Sequence, residues 1–447
     1  MRPQAVNIVG AGLAGALLAL LLARRGFSVE VYERRPDPRR ASTDAGRSIN
    51  LALAARGMLA LERAELMPGV RPLLIAMRGR MVHEPQGGAA LQPYGQREHE
   101  VIHSIGRGAL NRLLIEALAR HALVNLNFEH TCTGLGVPEN VLELHDGASG
   151  RTRRVPLAPT IAADGSGSAV RSALRQTGLL EADEQPLAHD YKELTVPGIE
   201  GRFALEPHAL HVWPRRGFML IALPNTDASF TATLFLPRTG SESFAALGED
   251  AAVARFFDRE FADAVPLMPQ LQHEFRTHPQ GRLSTVHAAP WRAHGSVLLL
   301  GDAAHAMVPF HGQGMNAAFE DCRVLDELIE RHERWDELFA DFEAQRRENT
   351  AAIARMALEN YGEMRAQVLE PGFVRRRALA LELERCFPQR FVPRYSMVMF
   401  HPEIPYAEAE RRGAVQQQIL DILEARSGAG PLDFDRELAR TLVEERL

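Results

Sequence analysis

The chain has 447 residues, of which 46% are hydrophobic and 24% charged, the composition of a globular protein long enough for two or more domains. A formal net charge of −6 leaves no electrostatic footprint for nucleic acid. The cysteines, Cys132, Cys322 and Cys386, are too few and too scattered for a disulfide framework or a metal-ligand pattern, which points to a reducing cytoplasm. Lys192 is the only lysine, an arginine bias that fits a GC-rich, bacterial coding sequence.

Residues 5–9 form a short apolar β-type run. It opens into Gly10-Ala11-Gly12-Leu13-Ala14-Gly15 and then a helix to about Arg25, capped by Gly26. The apolar stretch Leu13 to Ala23 imitates a signal peptide, but glycines 10, 12 and 15 have another task. A second strand over 27–32 ends at Glu33. Strand, GxGxxG turn, helix and strand, with an acidic residue roughly 20 positions on, is the pattern that places a dinucleotide pyrophosphate on a helix start and a ribose on the carboxylate. Arg34 and Arg35 fit either the adenosine end of such a ligand or simple surface charge. A polar segment over 36–45 precedes Gly46-Arg47-Ser48-Ile49-Asn50-Leu51-Ala52-Leu53, which mixes backbone-permissive and hydrogen-bonding residues with an apolar run; a buried loop beside the cofactor is compatible with it, but spacing alone does not show one.

Residues 77–83 and 88–94 read as hairpin strands carrying Arg80, a fork for carboxylates, and Tyr94, a phenol. Arg107 precedes an amphipathic helix over 109–121, residues 124–128 resume a parallel sheet, and Cys132 falls just past that strand. Residues 160–171 repeat the motif of an apolar strand entering a glycine turn, here Asp164-Gly165, and then a helix. Sequential strands with Pro and Gly turns follow at 191–197, 208–214, 218–224 and 229–237, which predicts an antiparallel sheet.

Residues 297–300 return to the first sheet and run into Gly301-Asp302. A loop with Gly312 and Gly314 then opens a helix from Met315 to about Arg331, a second place where backbone N–H groups meet an electron-rich ligand. From Trp335 the pattern is mostly helical, with breaks at Pro371, Pro388, Pro393 and Pro402. Asn360, Glu363 and Met364 share one helix face. That face reads as a polar edge in solvent or as part of a site.

Gly10-Ala11-Gly12-Leu13-Ala14-Gly15, Asp164-Gly165 and Gly301-Asp302, in this order and setting, resemble the single-component FAD-dependent aromatic hydroxylases of the p-hydroxybenzoate hydroxylase class. Within that class the kynurenine 3-monooxygenase family is the nearer likeness, over about residues 5 to 400. It rests on Gly46 to Leu53, Tyr191-Lys192-Glu193-Leu194, His211-Val212-Trp213-Pro214 and Phe218 to Asn225. The resemblance implies an α/β chain with three parts: a Rossmann-type FAD-binding domain over 1–181 and 291–334, an inserted, mainly antiparallel β-sheet substrate domain over 182–290, and a C-terminal helical region over 335–447 closing the active site.

It also implies roles. Leu13, Glu33, Arg34, Arg35, Arg47, Ala52, Arg107, Cys132 and Asp302 would meet FAD, and Met315 and Asn316 would approach the isoalloxazine edge. Arg80 and Tyr94 would grip a substrate carboxylate, completed by Asn360 and Tyr395. Phe310, His311, Glu363 and Met364 would shape the pocket at the aromatic ring. The implied reaction is hydroxylation of L-kynurenine at C3 with NADPH and O2 through a flavin C4a-hydroperoxide, so no protein side chain is required as the catalytic group. The alternatives are a related hydroxylase of another aromatic acid and a protein that uses FAD as a sensing group. A cytoplasmic protein with no metal, nucleic-acid or membrane partner is expected.

Overall fold

The computed structural model describes residues 4–40, 50–426 and 434–447. Arg47 lies outside them. The chain forms two compact units, one within Met1–Leu74, Ile105–Pro186 and Ser284–Ala354, the other within Ile75–Ser104, Leu187–Leu283 and Arg355–Leu447.

The first unit is built on a six-stranded sheet in the order Arg292–Ala293, Val297–Leu299, Thr160–Ala162, Ala5–Val9, Ser28–Glu33, Val124–Phe128. Every pairing is parallel except the edge pair Arg292–Ala293 with Val297–Leu299. The strands are continuous apolar runs because helices can cover both faces of such a sheet. Helix Leu13–Arg24 explains the signal-like run: it is buried from Gly15 to Ala23 on every side, so no polar face survives in the sequence. Each fully buried leucine there contributes roughly 1.5–3 kcal/mol. A three-stranded antiparallel meander, His130–Gly136, Val141–Asp146 and Arg151–Pro156, also belongs to this unit. Its last strand is exposed at Arg151 to Arg154, so the sequence carries no alternation to announce it.

The second unit contains the expected antiparallel strands, paired as Ala209–Arg215 with Phe218–Pro224, then Phe230–Pro237, then Glu181–Val196. The early hairpin, Gly79–His83 with Ala89–Pro93, extends this sheet by pairing in parallel with Ala209–Arg215. The hairpin thus packs with the sheet and not with the nucleotide-type fold that surrounds it in sequence. Helices Asp250–Glu260 and Leu271–Thr277 cover one sheet face through a core that includes Leu194, Trp213, Phe218, Leu234, Phe256, Phe257 and Phe275. Lys192, buried on this sheet, donates from Nζ to the carbonyls of Phe275 and His278 at 2.6 and 2.9 Å.

The C-terminal helices form a region with its own core, which includes Leu379, Leu383, Ile419, Leu423, Ala439 and Val443. Helix Trp335–Ala366 begins in the first unit and ends in the second. Helices Pro371–Cys386, Arg394–Phe400, Tyr406–Ala425 and Arg436–Arg446 follow in the second. Pro371 sits in the first turn of its helix, where a missing N–H costs nothing.

Candidate active site

In the first unit the glycine loop Gly10–Gly15 is shaped by two different steric demands. Gly10 has φ +99°, and a Cβ on it would lie 2.5 Å from the Ala163 carbonyl oxygen; a Cβ on Gly15 would lie 2.0 Å from Gly10 O. Both glycines serve close packing of strand and helix. A Cβ on Gly12 would meet no protein atom within 4 Å. The loop there faces open space, as it must if a pyrophosphate is to approach the backbone. Glu33, buried at the end of its strand, accepts from Ala11 N at 2.8 Å and from Arg35 N at 3.0 Å, so its carboxylate ties the two ends of the βαβ turn. Arg34 and Arg35 are exposed beside it.

Asn111 donates from Nδ2 to Ala11 O at 2.9 Å, which joins helix Arg107–Ala119 to the glycine loop. Arg107 is the exposed first residue of that helix, not a residue before it. Cys132 lies within strand His130–Gly136, buried, and desolvation pushes its thiol up to about 12, so it offers shape and backbone but no thiolate. Asp164 caps the next helix through Ala169 N at 2.8 Å; burial raises its pKa.

Gly301, at φ +60°, ends the strand Val297–Leu299 and turns the chain so that Asp302 is exposed at the start of Asp302–His305. Helix Gly314–Ile329 begins with Gly314 and Met315 partly exposed. Asn316 is buried, and its side chain is fully engaged with backbone: Oδ1 accepts from Ala54 N at 2.9 Å, and Nδ2 donates to Ala52 O and Gly312 O at 2.8 Å each. Asn316 therefore offers a cofactor its backbone, while its amide fixes Ala52 and the Gly312 loop. Phe310 and His311, both buried, form a short 3-10 turn before Gly312.

Behind these loops lies a buried ion cluster. Glu320 accepts from Arg56 Nη1 at 2.7 Å and from Arg346 Nη1 at 2.6 Å. Asp321 accepts from Arg346 Nε at 2.7 Å, from His305 Nε2 at 2.6 Å and from Gly301 N at 3.1 Å. Burial opposes ionisation of both acids, but the groups beside them, Arg346 and Arg56 at Glu320 and the His305 ring and Arg346 at Asp321, outweigh it and hold both carboxyls below the usual range.

The second unit assembles the other half of the expected residues. Arg80, 2% exposed, donates from Nη2 to Asn360 Oδ1 at 3.4 Å and lies under the Tyr395 ring at 5.1 Å and near the Tyr94 ring at 5.9 Å. The two phenol rings stack with centroids 5.4 Å apart. The nearest carboxylate oxygen to the guanidinium, Glu363 Oε1, is 3.9 Å away, and Arg80 Nε makes no hydrogen bond among the described residues. Met364 accepts from Asn360 Nδ2 at 3.4 Å. Arg80, Tyr94, Asn360, Glu363, Met364 and Tyr395 thus converge from hairpin, long helix and helix Arg394–Phe400. Burial raises the pKa of both phenols, Tyr94 well above 10, so each stays a neutral O–H donor. A buried cation set among neutral phenols, its one carboxylate neighbour Glu363 no nearer than 3.9 Å, is suited to receive an anion.

Several participants were not anticipated from the sequence. Arg377 donates to the Pro93 carbonyl, and burial together with the neighbouring Arg80 charge lowers its pKa, so it adds positive potential to the same pocket. Asn111 and the Arg56–Glu320–Arg346–Asp321–His305 cluster were likewise unexpected. None stands in a local motif, although Asn111 follows Arg107 by one helical turn. Among the described residues no group of His, Cys, Asp or Glu could hold a metal ion, and no helix is long and apolar enough to cross a membrane.

The FAD binding domain family matches residues 4–357. Kynurenine 3-monooxygenase of Myxococcus xanthus is 46% identical over the whole chain and 96% of its own length, and that of Stenotrophomonas maltophilia is 46% identical over 96% and 94%. Among solved structures, 2-methyl-3-hydroxypyridine-5-carboxylic acid oxygenase superposes with a TM-score of 0.65 over 83% of this chain and 95% of its own, at 17% identity. PqsL of Pseudomonas aeruginosa, in complex with 2-aminobenzoylacetate, gives 0.64 over 81% and 97%, at 22% identity. The fold is that of the FAD-dependent aromatic monooxygenases, and the open backbone at Gly12, the exposed Asp302 and the start of helix Gly314–Ile329 fit FAD. The chain belongs to the kynurenine 3-monooxygenase family of FAD-dependent monooxygenases.

Proposed function

We propose that the chain hydroxylates L-kynurenine at C3, consuming NADPH and O2. The observation that carries this reading is the buried guanidinium of Arg80, with Asn360, Tyr94 and Tyr395 around it and no carboxylate closer than 3.9 Å. The α-carboxylate of an amino acid is the anion that such a pocket receives. Gripping that remote end orients the aromatic ring without touching the reacting carbon. The aniline nitrogen of kynurenine itself donates electron density to the ortho carbon, so no strong protein base is called for.

FAD, when bound, accepts hydride from NADPH and activates oxygen. The residues proposed to hold it are Gly10, Gly12, Leu13, Gly15, Glu33, Arg34, Arg35, Ala52, Arg107, Cys132, Asp302, Gly314, Met315 and Asn316. Glu33 and Asp302 would accept from sugar and ribityl hydroxyls. The N–H groups and dipole of helix Gly314–Ile329 would favour negative charge on the reduced ring. Phe310, His311, Glu363 and Met364 are proposed to line the ring end of the substrate pocket. Among the described residues there is one glycine-rich βαβ unit, which supports NADPH binding transiently and without a domain of its own.

The test is NADPH consumption by the purified flavoprotein with and without L-kynurenine, with the product identified by mass. Strong stimulation and a product heavier by one oxygen at C3 is the expected result. Stimulation that yields only hydrogen peroxide would overturn the assignment in favour of another aromatic acid.

A further inference from the structure

Asp321 is wholly buried on helix Gly314–Ile329 and has no place among the expected cofactor or substrate contacts. Three donors converge on its two oxygens. Oδ2 takes Gly301 N–H at 3.1 Å and the His305 ring at 2.6 Å, and Oδ1 takes Arg346 Nε at 2.7 Å. Gly301 stands at φ +60° at the point where the chain swings Asp302 out to the surface. His305 ends the four-residue turn that Asp302 begins. Both ends of Asp302–His305 are therefore hydrogen-bonded to one carboxylate on the neighbouring helix, the helix whose start is assigned to FAD.

We propose that Asp321 is a positioning residue for FAD, which holds the Gly301–Asp302 turn in register with the start of helix Gly314–Ile329. It acts through Gly301 N–H and His305 and touches no cofactor atom. A carboxylate suits this position because a side-chain amide has a single acceptor oxygen. Whichever way an amide turned, its own N–H2 would face either Arg346 or the Gly301 and His305 donors, and a buried donor would lose its acceptor. Glu320 is a built-in control. It is the adjacent residue, also buried and part of the same ion cluster, but it bonds Arg56 and shares Arg346 with Asp321, and it makes no hydrogen bond to Gly301 or His305.

The experiment compares the full-length holoenzyme with Asp321→Asn and Glu320→Gln. It measures FAD dissociation on dilution by flavin fluorescence, the visible flavin spectrum, and thermal unfolding in excess FAD. Both variants are expected to melt earlier. Asp321→Asn alone should release FAD at about tenfold or greater concentration, the loss of one hydrogen bond to a charged group, with a shifted flavin band. Wild-type FAD affinity and spectrum in Asp321→Asn would overturn the proposal, and so would equal weakening in both variants, which would mark a general packing effect. Should Asp321→Asn fail to fold, His305→Leu keeps the Arg346 ion pairs and removes one link to the turn. It is expected to weaken FAD several-fold, and unchanged affinity there would also refute the role. The proposal rests on the FAD assignment but not on the substrate. Absence of kynurenine turnover in the wild-type holoenzyme, with FAD bound, would count against the functional reading alone.

Discussion

Replacing Arg80 by methionine removes the guanidinium and keeps an unbranched side chain of similar length. Arg80 is 2% exposed, so the charge it presents to a substrate carboxylate is almost unscreened. A hydrogen bond to a charged partner contributes about 1.5–3 kcal/mol, and a two-pronged clamp loses both prongs, offset in part because Tyr94, Tyr395 and Asn360 keep their donors. A net loss of roughly 3 kcal/mol corresponds to a KM for L-kynurenine raised by about 10²-fold. The residues assigned to FAD belong to the first unit, and Arg80 belongs to the second, so the variant should purify with its full flavin content. Removing a buried cation also removes its desolvation cost, and the melting temperature should move by only a few degrees. Arg80→Lys, which keeps the charge but not the planar fork, should fall between wild type and Arg80→Met. Steady-state NADPH oxidation against kynurenine concentration measures all three. A KM for Arg80→Met within about threefold of wild type would show that the carboxylate binds elsewhere.

Gly12→Val should fold with little change in melting, since its Cβ meets no protein atom, yet purify without yellow flavin. Gly15→Ala should destabilise the fold itself, because its Cβ collides with Gly10 O; flavin absorbance and thermal melts separate the two. Burial pushes the His211 imidazole down to about 4, whereas in the unfolded chain it titrates near about 6.5, so between those values the unfolded state binds more protons. Stability should therefore fall as pH drops from about 6.5 to about 4, and His211→Leu should show a shallower pH slope in thermal melts. Iodoacetamide at pH 8 should modify Cys386 and spare buried Cys132 and Cys322, whose pKa values burial raises; peptide mass mapping would reveal any early labelling of Cys132 that contradicts this.

Much of the first unit was legible because its signals are local. The glycine spacing, the strand before it and Glu33 after it all fall within one βαβ turn. The shared face of Asn360, Glu363 and Met364 followed from helical periodicity, and the structure turns that face toward Arg80. The placement of the hairpin was not legible: its fate is set by Gly79 pairing with Ala209, a contact between distant parts of the chain that no periodicity encodes. Arg377 and Asp321 were missed for the same reason, since each acquires its partners only when separate helices and turns meet. Asn316 shows a different limit. Its position beside the glycine loop was readable, but its side chain bonds three backbone groups, and sequence spacing does not distinguish a residue that faces a ligand from one that shapes the wall behind it.

The burial of Lys192 gives the molecule an unusual chemical handle. With one lysine in the whole chain, buried on the sheet and anchored by its ammonium to the Phe275 and His278 carbonyls at the end of helix Leu271–Thr277, amine-directed reagents find no exposed lysine to modify. A protease that cuts only after lysine likewise has a single target, and that bond lies in a sheet strand. Digestion would then yield two fragments, 1–192 and 193–447, only as fast as the sheet unit opens. One band becoming two on a gel would clock the unfolding of that unit, without a label or an engineered site.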